Sequence, residues 1–129
     1  MSDSPTIVIV ENDEFLSRLY TTKFTAEGWV VKPAPDGAKG LAIIKEVQPD
    51  VIMLDVEMPN MDGLAVLKEL KNNPVTSNIP VLMLTNSADP THVAEAEKLG
   101  AVEYLIKAHF LPSEVGEKVR AAMLKNPKS

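Results

Sequence analysis

The 129 residues, 45% of them hydrophobic and 24% charged, fit one domain with an aliphatic core and leave little room for a second core. A formal net charge of -5 argues against nonspecific binding to nucleic acid or anionic lipid, because phosphates attract basic patches. With no cysteine and only His92 and His109 as imidazoles, disulfides, thiolate catalysis and a zinc site are excluded, so any metal must be held mainly by oxygen.

Along the chain, the opening MSDSPT lacks the basic and apolar regions of a signal peptide. No apolar run approaches the roughly 20 residues that span a bilayer, so a cytoplasmic location without a membrane partner is expected. The aliphatic run Ile7 to Val10 predicts a first strand, followed by Glu11, Asn12 and Asp13. From Glu14 to Glu27 the spacing of Leu16, Leu19, Tyr20 and Phe24 predicts a helix with one apolar stripe, stopped by Gly28. Val30 to Lys32 is a short second strand, placed at an edge. Asp36 caps a second helix with Leu41, Ile44 and Val47 on its inner face, ending before Pro49.

Val51 to Leu54 predicts the third strand, with Asp55 at its end. A third helix carries Leu64, Leu67 and Leu70, and the turn-rich stretch Asn72 to Pro80 is a loop too short to link domains. Val81 to Leu84 is the fourth strand and ends in Thr85; Val93, Ala96 and Leu99 mark a fourth helix before Gly100. The fifth strand, Val102 to Ile106, ends in Lys107. Ser113 is the expected cap of the last helix, with Glu114 and Glu117 in its first turn and Val115, Val119 and Ala122 on its inner stripe. A core of about 6–124 is thus flanked by tails at 1–5 and 125–129. Aliphatic runs alternating with helical segments predict an α/β domain of βαβ units around a parallel sheet.

In such a sheet, ligands bind beyond the carboxyl ends of the strands. That rim collects Glu11, Asn12, Asp13, Asp55, Thr85 and Lys107. Carboxylates brought together repel unless a cation neutralises them, and a hard divalent ion such as magnesium takes this oxygen set. Asp55 is then placed to attack phosphorus in line, with Lys107 and Thr85 binding other phosphoryl oxygens; the product is an aspartyl phosphate.

The segments IVIVENDE, PDVIMLDVEMPNMDG, IPVLMLTNS and VEYLIKA resemble, in order, the four signature stretches of response-regulator receiver domains of two-component signalling, of the chemotaxis-regulator kind. The resemblance covers Thr6 to about Leu124. Thr85 lies 30 residues after Asp55 and Lys107 a further 22 on, as in that family. The resemblance implies a flavodoxin-like (βα)5 fold with strand order 2-1-3-4-5. It implies Asp55 as phosphoacceptor, Thr85 as switch hydroxyl, Lys107 as phosphoryl contact and Tyr104 as the aromatic residue whose burial changes on activation. Magnesium, or manganese in its place, would be held by Glu11, Asn12, Asp13, Asp55 and the backbone carbonyl of Glu57. Pro59 and Gly63 look like structural punctuation of the loop after the acceptor, and Glu57 and Ser87 hold positions resembling those that tune dephosphorylation.

Two departures stand out. Receivers usually carry two acidic residues after the first strand, whereas this chain has Glu11 and Asn12. Three readings stay open: a working site with weakened metal binding, a site rescued by Asp13, or a receiver that signals without phosphorylation. Ala108 replaces the usual proline after the lysine, so the Lys107–Ala108 bond is expected to be trans and its loop more mobile.

The function expected is a stand-alone receiver that takes its phosphoryl group from a histidine kinase or histidine phosphotransfer protein. At most it catalyses its own phosphorylation and dephosphorylation, with no turnover of a separate substrate. Output would pass to a protein partner through the fourth helix, fifth strand and fifth helix, without direct contact to nucleic acid, as a monomer or a phosphorylation-dependent dimer. The alternative is a phosphorylation-independent interaction module; Asp55-Val56-Glu57 also superficially matches the DxD start of haloacid-dehalogenase-like phosphatases, which need a larger chain.

Overall fold

The computed structural model describes residues 4–58, 61–86 and 89–125. Five strands, β1 (Thr6–Val10), β2 (Val30–Ala34), β3 (Val51–Asp55), β4 (Val81–Thr85) and β5 (Glu103–Ile106), form a parallel sheet in the order β2-β1-β3-β4-β5. The expected order is therefore observed, with the short second strand at an edge, where Pro33 costs no interior hydrogen bond. The fifth strand starts one residue later than its apolar run suggests.

Five helices cover the sheet: α1 (Glu14–Ala26), α2 (Gly37–Val47), α3 (Gly63–Lys71), α4 (Pro90–Leu99) and α5 (Pro112–Lys125). Two cores result. On one face, Ile7, Ile9, Val51, Met53, Leu82 and Leu84 meet α1 and α5. On the other, Val8, Val10, Ile52, Leu54 and Met83 meet α2, α3 and α4. Alternate residues of one strand enter opposite cores, which is why the central strands are aliphatic at nearly every position. The fold is flavodoxin-like and doubly wound.

Two expectations require correction. Leu19 is not part of the buried stripe of α1: Tyr20 and Phe24, one turn apart, take the core face, and Leu19 turns outward and is exposed. Ser113 does not cap α5, because Pro112, whose fixed φ suits the first helical position, starts the helix one residue earlier. The Glu114 carboxylate instead accepts from the Leu111 N–H at 2.8 Å. The other caps follow the sequence: the Asp36 carboxylate accepts from the Lys39 N–H at 2.8 Å, and Gly100 ends α4 at φ 98°. Asp36→Ala is expected to lower unfolding free energy by about 1 kcal/mol, seen as a lower urea midpoint with unchanged slope. Among the described residues, no helix is long and apolar enough to cross a membrane.

Candidate functional site

The chain leaves β1 toward β2 on one side and returns through α2 to β3 on the other, so β1 and β3 form the point where strand order reverses. Their carboxyl ends place Glu11 beside Asp55, and both are almost fully buried. Thr85 ends β4 and is also buried. Lys107, at the end of β5, opens a single 3-10 turn, Lys107–His109. The bond to Ala108 is trans, as no described peptide bond is cis.

The Lys107 ammonium reaches between the two acids, 2.8 Å from Glu11 Oε1 and 3.3 Å from Asp55 Oδ2. One cation thus faces two buried carboxylates. Burial first, then the neighbouring Glu11 carboxyl, pushes the Asp55 pKa up to about 7, with Lys107 opposing. For Lys107, burial works to lower the pKa, but the two carboxylates outweigh it and hold the ammonium above its ordinary range. Tyr20 of α1 lies under this cluster, and burial raises its pKa.

The remaining contacts fix orientation. Glu11 Oε2 accepts from the Asp13 N–H at 3.0 Å, and Asp55 Oδ1 from the Glu57 N–H at 3.2 Å. The Asp13 carboxylate caps α1, accepting from the Leu16 N–H at 3.1 Å. In the orientation its neighbours dictate, the Asn12 amide nitrogen donates to Asp55 Oδ2 at 3.1 Å and to the Glu57 carbonyl at 3.2 Å. Gly63 donates its N–H to the Val56 carbonyl at 2.9 Å, which seats α3 against the loop after β3.

Convergence of Asp55 Oδ2 and the Glu57 carbonyl on one donor is a test of the metal expectation. Two oxygens aimed at a single point suit a hard divalent cation, and the amide nitrogen supplies the positive end of a dipole there in its stead. Turned by half a rotation, Asn12 would present its oxygen to that point. The residues therefore fit a divalent ion, with one carboxylate fewer than two acids after β1 would provide. Among the described residues, no three acidic or histidine side chains cluster tightly enough to form a preassembled cage.

Thr85 is turned toward Glu57: its hydroxyl donates to Glu57 Oε2, and the Asn86 N–H donates to Oε1 at 2.8 Å. The sequence reading had Glu57 only as a carbonyl ligand and a tuning position and missed its grip on Thr85. No local signal announced that contact, because β3 ends at Asp55 and Glu57 lies in the loop beyond it, where strand alternation no longer applies. Tyr104 is half-buried, its hydroxyl enclosed beside Thr85, and burial raises its pKa while the Thr85 hydroxyl opposes the shift. A cavity of about 370 Å³ between α4 and β5 lies alongside it, lined in part by Val93, Glu97, Glu103 and Tyr104. Ser87 and Pro59 lie outside the described residues.

Residues 7–120 match the family profile of the response regulator receiver domain. The DNA-binding dual master transcriptional regulator RpaA of Synechocystis sp. is 37% identical over 119 residues, covering 92% of this chain and 49% of that protein. The DNA-binding response regulator MtrA of Mycobacterium tuberculosis is 32% identical over 120 residues, 93% of this chain and 51% of that protein. The chain spans about half the length of the curated relatives it matches. Among solved structures, the chemotaxis protein CheY4 of Vibrio cholerae superposes with a TM-score of 0.86 at 26% identity, covering 92% of this chain and 98% of that one. A CheY-like receiver domain protein of Methanospirillum hungatei gives 0.89 at 22% identity over 96% and 97%, a likeness of fold alone.

Proposed function

Because this chain belongs to the response regulator receiver domain family, we propose that it accepts a phosphoryl group on Asp55 and passes the change to a protein partner. The observation that carries the reading is the Asp55 carboxylate held at the rim between Lys107 and the Asn12 amide, with Glu11 behind it. The donor is a phosphohistidine of a histidine kinase or phosphotransfer protein. An Asp55 oxygen forms the new bond to phosphorus as the P–N bond to imidazole breaks; the leaving imidazole keeps the electron pair and takes up a proton. Lys107 meets the phosphoryl oxygens, a role supported by its ammonium lying 3.3 Å from Asp55 Oδ2. A magnesium ion held by Asp55, the Glu57 carbonyl and the Asn12 amide oxygen would supply charge neutralisation at the transferred group. The Asp13 carboxylate, engaged at the start of α1, stabilises that helix rather than contributing to the ion. Output runs over α4, β5 and α5, where Tyr104 and the adjoining cavity offer a surface that can repack.

The test is incubation with magnesium and acetyl phosphate followed by intact-mass measurement. One phosphoryl adduct is expected, and its absence beside a receiver that does become labelled would leave a phosphorylation-independent interaction module as the better reading. Restoring the second acid should tighten the metal site: Asn12→Asp is expected to bind magnesium about 5- to 10-fold more tightly in a calorimetric titration. Equal affinities would remove Asn12 from the ligand set.

A further inference from the structure

The Glu57 carboxylate accepts twice from the end of β4, from the Thr85 hydroxyl and from the Asn86 N–H. Thr85 is fully buried, so its hydroxyl cannot exchange this acceptor for bulk water. If Asp55 is the acceptor, the same hydroxyl must reach a phosphoryl oxygen on Asp55. A threonine hydroxyl has one hydrogen and cannot donate to Glu57 and to a phosphoryl group at once. The two arrangements are alternatives.

We propose that Glu57 is a latch: its carboxylate holds Thr85 and the start of the loop after β4 in the unphosphorylated arrangement, and phosphorylation of Asp55 releases it. The proposal rests on the reading of Asp55 as phosphoacceptor. Glu57 acts through Thr85 and is a positioning residue.

The chemistry supplies both halves of a two-state element. In the resting state, two hydrogen bonds to an ionised carboxylate are stronger than neutral ones and tie the β3 loop to the β4 loop. In the phosphorylated state the added group offers Thr85 a second anionic acceptor and places negative charge near Glu57, whose carboxylate is then repelled. One event thus pulls the hydroxyl toward Asp55 and pushes its former partner away. A ligand shifts such an equilibrium only by its differential affinity for the two arrangements, and the latch raises that requirement. Tyr104, enclosed beside Thr85 and in electrostatic contact with Glu57, gives the movement somewhere to be felt.

The experiment measures binding of beryllium trifluoride, a phosphoryl stand-in, with magnesium present, to wild type, Glu57→Ala, Thr85→Ala and the double variant. The Asn86 amide resonance is followed in the ligand-free proteins. Glu57→Ala is expected to bind about 5- to 10-fold more tightly, and its Asn86 amide proton to move upfield as the charge-assisted bond is lost. In the Thr85→Ala background the same substitution should change affinity less than about twofold, because nothing remains to be released. Glu57→Gln keeps an acceptor for the hydroxyl and should fall between wild type and Glu57→Ala. The latch is overturned if Glu57→Ala binds no more tightly, or if its gain persists in full without the Thr85 hydroxyl, since charge repulsion alone would then explain it. Failure of every protein to bind the stand-in would instead remove the Asp55 reading, and the latch with it.

Discussion

Asp55→Asn is expected to take up no phosphoryl group under conditions that label the wild type, and to be the more stable protein when divalent ions are chelated. The first outcome follows from loss of the attacking oxygen. The second follows from the electrostatics of the rim, where the Lys107 ammonium is shared by the Glu11 and Asp55 carboxylates. Burial and Glu11 together raise the Asp55 pKa from 3.8 to about 7. Between those values the folded protein holds a proton that the unfolded chain releases, so stability from this group falls as pH rises and reaches its floor above pH 7. Removing the charge leaves Glu11 and Lys107 as a neutral pair. A pKa unit corresponds to about 1.4 kcal/mol, and after relaxation of the site a gain of about 2 kcal/mol at pH 8 is expected. Urea denaturation with a chelator at pH 5 and pH 8 checks this. The advantage of Asp55→Asn should widen toward pH 8; equal stabilities there would show that Lys107 compensates both acids in full.

Gly63→Ala is expected to cost more than about 3 kcal/mol and to abolish labelling of Asp55, although residue 63 carries no functional group. A Cβ at this position would lie 2.3 Å from the Asp55 carbonyl oxygen and 2.8 Å from the Val56 Cα, and both obstacles are backbone. Relief requires α3 to move off the end of β3, breaking the Gly63 N–H bond to the Val56 carbonyl and turning Asp55 with its strand. Thermal unfolding and intact mass after acetyl phosphate treatment measure the two effects. A folded variant that labels normally would show that α3 can withdraw without disturbing the acceptor.

Asp55, Thr85 and Lys107 could be read from the chain because each follows an aliphatic run, and parallel topology sends every such end to one rim. The signals are local and periodic. Leu19 and Ser113 misled for the same reason: an apolar residue at helical spacing still has to lie within the face the core accepts, and a good capping residue competes with a neighbouring proline. What periodicity cannot carry is pairing. Nothing in the order of residues states that Lys107 reaches Glu11 more closely than Asp55, that the Asn12 amide nitrogen bridges Asp55 to the Glu57 carbonyl, or that the Glu57 carboxylate takes hold of Thr85. Those contacts join residues far apart in the chain, and side-chain rotation chooses among several partners of similar chemistry.

The register of the sheet has a mechanical consequence. Val10 lies opposite Leu54, and Asp55 lies opposite Leu84. Because side chains alternate between faces, a slip of β3 by a single residue would drive Asp55 into the place of a core aliphatic and bring Leu54 or Val56 to the rim. Both cores resist that exchange at once, since β3 is buried on both sides. The aliphatic packing thus serves as the gauge that sets one carboxylate at its working height. Core substitutions that loosen β3, at Met53 for example, should blunt the chemistry of the rim from a distance, with every polar residue of the site still in place.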